Sequence, residues 1–132
     1  MEQKIKVLFI DDDSDFVRAA AVVFDAMGLE TIPASTAAEG LQKLQIEKPD
    51  VVVLDLVLEN ADEGFSVVGK IRDKLNTDVP VVMLSSLNEV TGRSIKPEEH
   101  PDYYPVNRFL KKPVSPGTLI RHIRAVLGKG DV

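Results

Sequence analysis

The chain contains no cysteine, which excludes disulfides and thiolate metal sites and agrees with a reducing compartment. No run approaches the roughly 18 apolar residues that mark a membrane-spanning helix. No signal-peptide pattern precedes the first apolar run, because MEQKIKVLF leads straight into strand-like sequence. A cytoplasmic location is therefore expected. There is no surplus of positive charge. Lys and Arg number 16 against 21 Asp and Glu, a net charge of −5, which argues against direct nucleic-acid binding. Internal repeats, linkers and low-complexity tracts are also lacking. What remains is a chain of 132 residues, 44% hydrophobic and 28% charged, the size and composition of a single globular domain over residues 1–132.

Short apolar runs alternate with segments of helical period, which implies βα units and a parallel sheet. The runs expected as strands are Ile5 to Ile10, Leu29 to Pro33, Val51 to Leu54, Val81 to Leu84 and Asn107 to Leu110. Runs this rich in Val and Ile suit a sheet covered on both faces. The first helix is expected after a Ser14 cap, with Phe16, Ala20, Val23, Phe24 and Met27 at helical spacing and Gly28 at its end. Thr36 and Glu39 predict a capping box for a second helix that buries Leu41 and Leu44. A third helix is expected from about Gly64 to Asn76, with Val68, Ile71 and Leu75 on one face. Ser115 and Pro116 start the last helix, whose core face is Leu119, Ile120, Ile123, Val126 and Leu127. His122 on that helix is expected to face solvent or a partner. Between Ser86 and Val106 the alternation breaks. Pro97, Pro101 and Pro105 forbid one continuous helix there, so an irregular or shortened fourth helix is expected.

Ligands of such sheets bind beyond the carboxyl ends of the strands. The residues at those ends are Asp11 and Asp12, Asp55, Ser85, and Lys111 or Lys112. Converging carboxylates repel one another unless a cation sits among them, and an all-oxygen donor set suits Mg²⁺. A carboxylate such as Asp55 can attack phosphorus and form an acyl phosphate. A lysine ammonium and a serine hydroxyl can each hold a phosphoryl oxygen. Strand alternation alone does not choose between Lys111 and Lys112, nor does position alone choose between Ser85 and Ser86.

The motifs VLFIDDD, VVVLDL, PVVMLSS and RFLKKP, in that order, make the chain resemble the receiver domain of bacterial two-component response regulators. The resemblance implies a doubly wound α/β fold with a five-stranded parallel sheet in the flavodoxin-like order 2-1-3-4-5 and helices on both faces. It implies a phosphoacceptor switch rather than a metabolic enzyme, with Asp55 taking a phosphoryl group from a histidine kinase or a histidine phosphotransfer protein. Asp11, Asp12, Asp55 and the backbone carbonyl of Val57 would hold Mg²⁺. Lys112, directly before Pro113, and Ser85 would contact the phosphoryl group, and the Lys112–Pro113 bond would be cis. Ser85 and Phe109 would move together as the switch. The downstream target is not legible, and homodimerisation is left open.

Departures from the family pattern are also visible. Asp55 is followed by LVLENADEG, without the usual proline, and Ser85 stands where threonine is commoner. Two other functions compete. One is a receiver-fold interaction module without phosphorylation. The other is a small haloacid-dehalogenase-type phosphatase using Asp11-x-Asp13, a scheme that leaves Asp55 without a role.

Overall fold

The computed structural model describes residues 4–55, 69–71, 78–85 and 108–128. In chain order these form β1 (Ile5–Ile10), α1 (Ser14–Ala26), β2 (Leu29–Ala34), α2 (Ala37–Glu47), β3 (Val51–Asp55), β4 (Val81–Ser85), β5 (Arg108–Lys111) and α3 (Pro116–Val126). All strand pairs are parallel, and the order is β2-β1-β3-β4-β5. This is the expected order. The expected helix from Gly64 to Asn76 lies outside the described residues except at 69–71, where Ile71 is fully buried. The segment from 86 to 107 is also outside them.

Strand alternation sends successive side chains to opposite faces, and here it sorts the core into two layers. Val7, Phe9, Val51, Val53, Val82 and Leu84 face one way. There they pack against Val17, Ala20 and Phe24 of α1 and Leu119, Ile120 and Ile123 of α3. Leu8, Ile10, Val52, Leu54, Val81 and Met83 face the other way, against Ala37 and Leu44 of α2 and Ile71. The first layer is aromatic: the Phe9 ring meets Phe16 edge-on at 5.7 Å and stacks with Phe24 at 6.2 Å. The second layer depends on a close approach. A Cβ at Gly40 of α2 would collide with the Ile10 side chain, so only glycine lets α2 lie this near β1.

Several expected details change. Asp13, not Ser14, caps α1, its Oδ1 accepting from Phe16 N–H at 3.1 Å. Both types cap well, and the chain enters the helix one residue earlier than expected. Val23 and Met27 are partly exposed, whereas Val17 is buried, so the buried stripe of α1 is rotated from the expected one. The α2 box is also shifted. Thr36 Oγ1 accepts from Glu39 N–H at 3.1 Å, but the Glu39 carboxylate reaches the Ser35 N–H, not that of Thr36. On α3, Ser115 caps as expected, accepting from Thr118 N–H. His122 is half-buried rather than exposed, and its Nδ1 is sealed from solvent with no hydrogen-bond partner among the described residues. Burial first, then Arg108 and Arg121, hold its pKa below the ordinary histidine value.

The strand β2 forms one edge of the sheet. Pro33 lies in it without an N–H, and Lys43 Nζ donates to the Pro33 carbonyl at 2.6 Å. Just before β2, Arg124 Nη2 of α3 donates to the Met27 carbonyl at the end of α1, at 3.1 Å.

Candidate functional site

The site continues the aromatic face of the sheet. The row Val7, Phe9 leads by alternation to Asp11, and the row Val51, Val53 leads to Asp55. Asp11 extends the ladder past β1, its N–H donating to the Ala34 carbonyl at 3.0 Å. Asp11 and Asp55 are both buried residues, at 2% and 3% exposure. Asp12, one residue on, is exposed. Lys112 follows β5 and sends its ammonium between the buried pair, 3.2 Å from Asp11 Oδ2 and 3.4 Å from Asp55 Oδ2. The second oxygen of Asp11, Oδ1, accepts from Asp13 N–H at 2.9 Å. One carboxylate oxygen from each of Asp11, Asp12 and Asp55 lies within 4.8 Å of the others.

Burial pushes the Asp11 carboxyl up to about 6. The Asp13 N–H opposes that shift, the Asp55 charge adds to it, and Lys112 opposes it. Burial by itself would lower the pKa of Lys112, but the charges of Asp55 and then Asp11 outweigh it and hold the ammonium above its ordinary value. Three ionised carboxylates against one ammonium leave an excess of two negative charges. An all-oxygen donor set with that excess fits a hard divalent cation such as Mg²⁺. The fit rests on donor chemistry and on the spacing of the three oxygens.

A family model described as the response regulator receiver domain matches residues 7–124. The chain belongs to that family. Receiver domains of response regulators are the signalling modules of two-component systems. Among curated relatives, this receiver domain is 36% identical to the "Probable transcriptional regulator ycf27" of Pyropia yezoensis, over 98% of this chain and 50% of that protein. It is 29% identical to the "Alkaline phosphatase synthesis transcriptional regulatory protein PhoP" of Bacillus subtilis (strain 168), over 96% of this chain and 50% of that one. The chain spans about half the length of these relatives. Among solved structures it is similar to a Francisella response regulator receiver domain, with 26% identity, a TM-score of 0.77, and 96% and 98% of the two chains covered. A CheY-like receiver domain protein from Methanospirillum hungatei shares the fold, with a TM-score of 0.78 at 24% identity over 97% and 96% of the two chains.

Within this receiver domain, the predicted residues fall into three groups. Asp11, Asp12, Asp55 and Lys112 come together. The choice that alternation left open is thus narrowed by geometry: it is Lys112 that touches the carboxylates, while Lys111 is exposed. Ser85 and Phe109 lie in adjacent strands, Ser85 level with Lys111 and Phe109 level with Met83, but their side chains are outside the described part. Val57 lies outside the described residues altogether. The Lys112–Pro113 bond is cis, as the family resemblance implied. The phosphatase alternative finds no support here. Its motif needs Asp13 free for chemistry, whereas that carboxylate caps α1.

One neighbour of the site is legible in the sequence only as core. Phe16 sits at a helical core spacing, yet its ring lies 5.0 Å from Lys112 Nζ, measured to the ring centroid. Nothing in a sequence pattern separates a ring that only packs from one that also faces a cation.

Proposed function

We propose that this receiver domain is a Mg²⁺-dependent phosphoacceptor switch, with Asp55 the acceptor. The observation that carries the reading is the buried Asp55 carboxylate held 3.4 Å from the Lys112 ammonium, in a pocket completed by Asp11 and Asp12. The donor is the phosphohistidine of a histidine kinase or of a histidine phosphotransfer protein. A carboxylate oxygen of Asp55 attacks phosphorus, an O–P bond forms and the P–N bond breaks. The leaving imidazole keeps the electron pair and takes a proton from solvent.

Lys112 shares its ammonium between two carboxylates before transfer. It offers that charge to a phosphoryl oxygen as negative charge gathers there, which is where a fixed cation lowers the barrier. Asp11, Asp12, Asp55 and the Val57 carbonyl would hold Mg²⁺, which supplies the positive charge that lets a dianionic group approach three carboxylates. Asp13 N–H fixes one oxygen of Asp11 and so orients the other toward the site. Ser85 would take a second phosphoryl oxygen, and Phe109 would follow it, shifting the β4–β5 end between two populations.

The chain then acts on itself rather than turning over a metabolite, and its output is a protein contact, not DNA bound by this domain. Relatives named as transcriptional regulators support a role for such contacts in transcriptional control. A cytoplasmic location accords with this reading. Among the described residues, no helix is long and apolar enough to cross a membrane.

The test uses acetyl phosphate as donor and a phosphate-affinity gel. A retarded band should form with Mg²⁺ and vanish with excess EDTA or in Asp55→Asn. A band of undiminished intensity in Asp55→Asn would overturn the acceptor assignment.

A further inference from the structure

We infer that Phe16 is a positioning residue for phosphoryl transfer, holding the Lys112 ammonium in place through the face of its ring. The inference rests on the phosphoacceptor reading. Lys112 is the last residue before a cis peptide bond, and its long stem has many rotamers to lose. Asp11 and Asp55 alone could hold its charge in several positions along their oxygens. The ring of Phe16 restricts that freedom from a third direction, with its centroid 5.0 Å from Nζ. A cation this near an aromatic face is attracted by the ring quadrupole, more strongly where water is thinned out. Only 20% of the Lys112 side chain is exposed.

The ring itself is held. Phe16 packs partly into the core layer of α1 and α3, and Phe9, which is fully buried, meets it edge-on at 5.7 Å and 87°. The helix start fixes it again, because Phe16 N–H donates to the capping carboxylate of Asp13. The chain of contacts therefore runs from the buried Phe9 to Phe16 to the ammonium. On the outer side, Phe16 and Lys112 line a surface cavity of about 240 Å³ with Asp13, Pro113 and Val114. A ring at this place does two things an aliphatic side chain cannot do together. It keeps the core contact, and it gives the ammonium a surface that attracts it without competing with phosphoryl oxygens for its N–H donors as a carboxylate would.

The experiment uses the full chain with Mg²⁺ at saturation and acetyl phosphate as donor, comparing Phe16→Leu, which keeps apolar volume, with Phe16→Tyr, which keeps the ring face. Phosphorylation of Phe16→Leu should be about two- to fivefold slower than wild type, and that of Phe16→Tyr within twofold of it. In proton NMR spectra, ring current should move the ε-methylene resonance of Lys112 away from those of the other lysines in wild type and Phe16→Tyr, and not in Phe16→Leu. The shift reports the ring over the lysine stem, and the rate difference between Phe16→Leu and Phe16→Tyr reports its use in transfer. The inference is overturned if Phe16→Leu labels at the wild-type rate, if Phe16→Tyr is as slow as Phe16→Leu, or if no ring-current shift exists. If wild type takes no label while the shift is present, the phosphoacceptor reading fails instead, and any role of the ring in phosphoryl transfer fails with it.

Discussion

The two faces of this sheet are built alike and end differently. On one face, alternating rows of Val and Phe run upward from the core and finish in Asp11 and Asp55, which receive Lys112. On the other, rows of Leu, Ile, Val and Met stay apolar, and Gly40 of α2 lies close against Ile10. The difference shows how a single strand serves two purposes with a period of two. Phe9 belongs to a packing scheme that continues into charge, while Ile10 next to it belongs to one that stays closed. Changes on the first face should act chiefly on chemistry, and changes on the second chiefly on stability.

The largest expected effect on the charged face is that of Lys112→Met. Removing a fixed positive charge aimed at a transferring group costs about a hundredfold in rate by analogy with lost oxyanion donors. Labelling by acetyl phosphate should fall by about that factor, while circular dichroism stays that of the folded protein. Unchanged labelling would mean that the ammonium only neutralises its carboxylate neighbours.

The next effect is one of pH and concerns stability without metal. The Asp11 carboxyl titrates near 3.8 in an unperturbed chain and at about 6 here. The folded state therefore holds this proton more tightly. Its contribution is fully present below about pH 4 and is lost as pH rises to about 6, a loss of at most about 3 kcal/mol. His122 acts with the opposite sign, because its pKa is lowered, so its contribution is lost as pH falls below 6.5. The difference in unfolding free energy between wild type and Asp11→Asn cancels the His122 part. That difference should shift against the wild type as pH rises from 4 to 6 in metal-free buffer. A difference that stays flat across this range would contradict the desolvated state of Asp11.

On the closed face, Gly40→Ala should destabilise by about 1–2 kcal/mol, overpacking outweighing the gain in helix propensity. Ile10→Val should relieve part of that cost in the double variant, a non-additive pair detectable in urea unfolding. The labelling rate of the folded protein should stay within twofold. A labelling rate that fell together with stability would show that the two faces are not independent. The smallest effect is that of Asp13→Ala, which removes the α1 cap and should cost about 1 kcal/mol. The Asp13 N–H that orients Asp11 survives this change, so labelling should persist.

Much of this was legible in the chain because the signals agree across levels. Five apolar runs, caps at Thr36 and Ser115, and acids directly after two runs all point to one parallel sheet with a polar end. The acids at 11, 12 and 55 could be placed together because strand ends fix where side chains emerge. What escaped the sequence was decided by contact. Asp13 and Ser14 are equally good caps, and only the backbone path into α1 selects the first. Gly40 in a helical run reads as a weak point until Ile10 is seen against it. His122 follows the helical period of exposed residues, yet Arg108 and Arg121 stand near it and its Nδ1 is covered. Phe16 matches an apolar stripe equally well whether or not an ammonium lies over it.

The pairing of Pro33 with Lys43 has a consequence for assembly. At that position the outer rim of the sheet offers a visiting strand neither a donor nor an unengaged acceptor. Addition of a foreign chain along β2 is thereby discouraged near the strand's carboxyl end, and two molecules that meet there do so through side chains rather than through a shared backbone ladder.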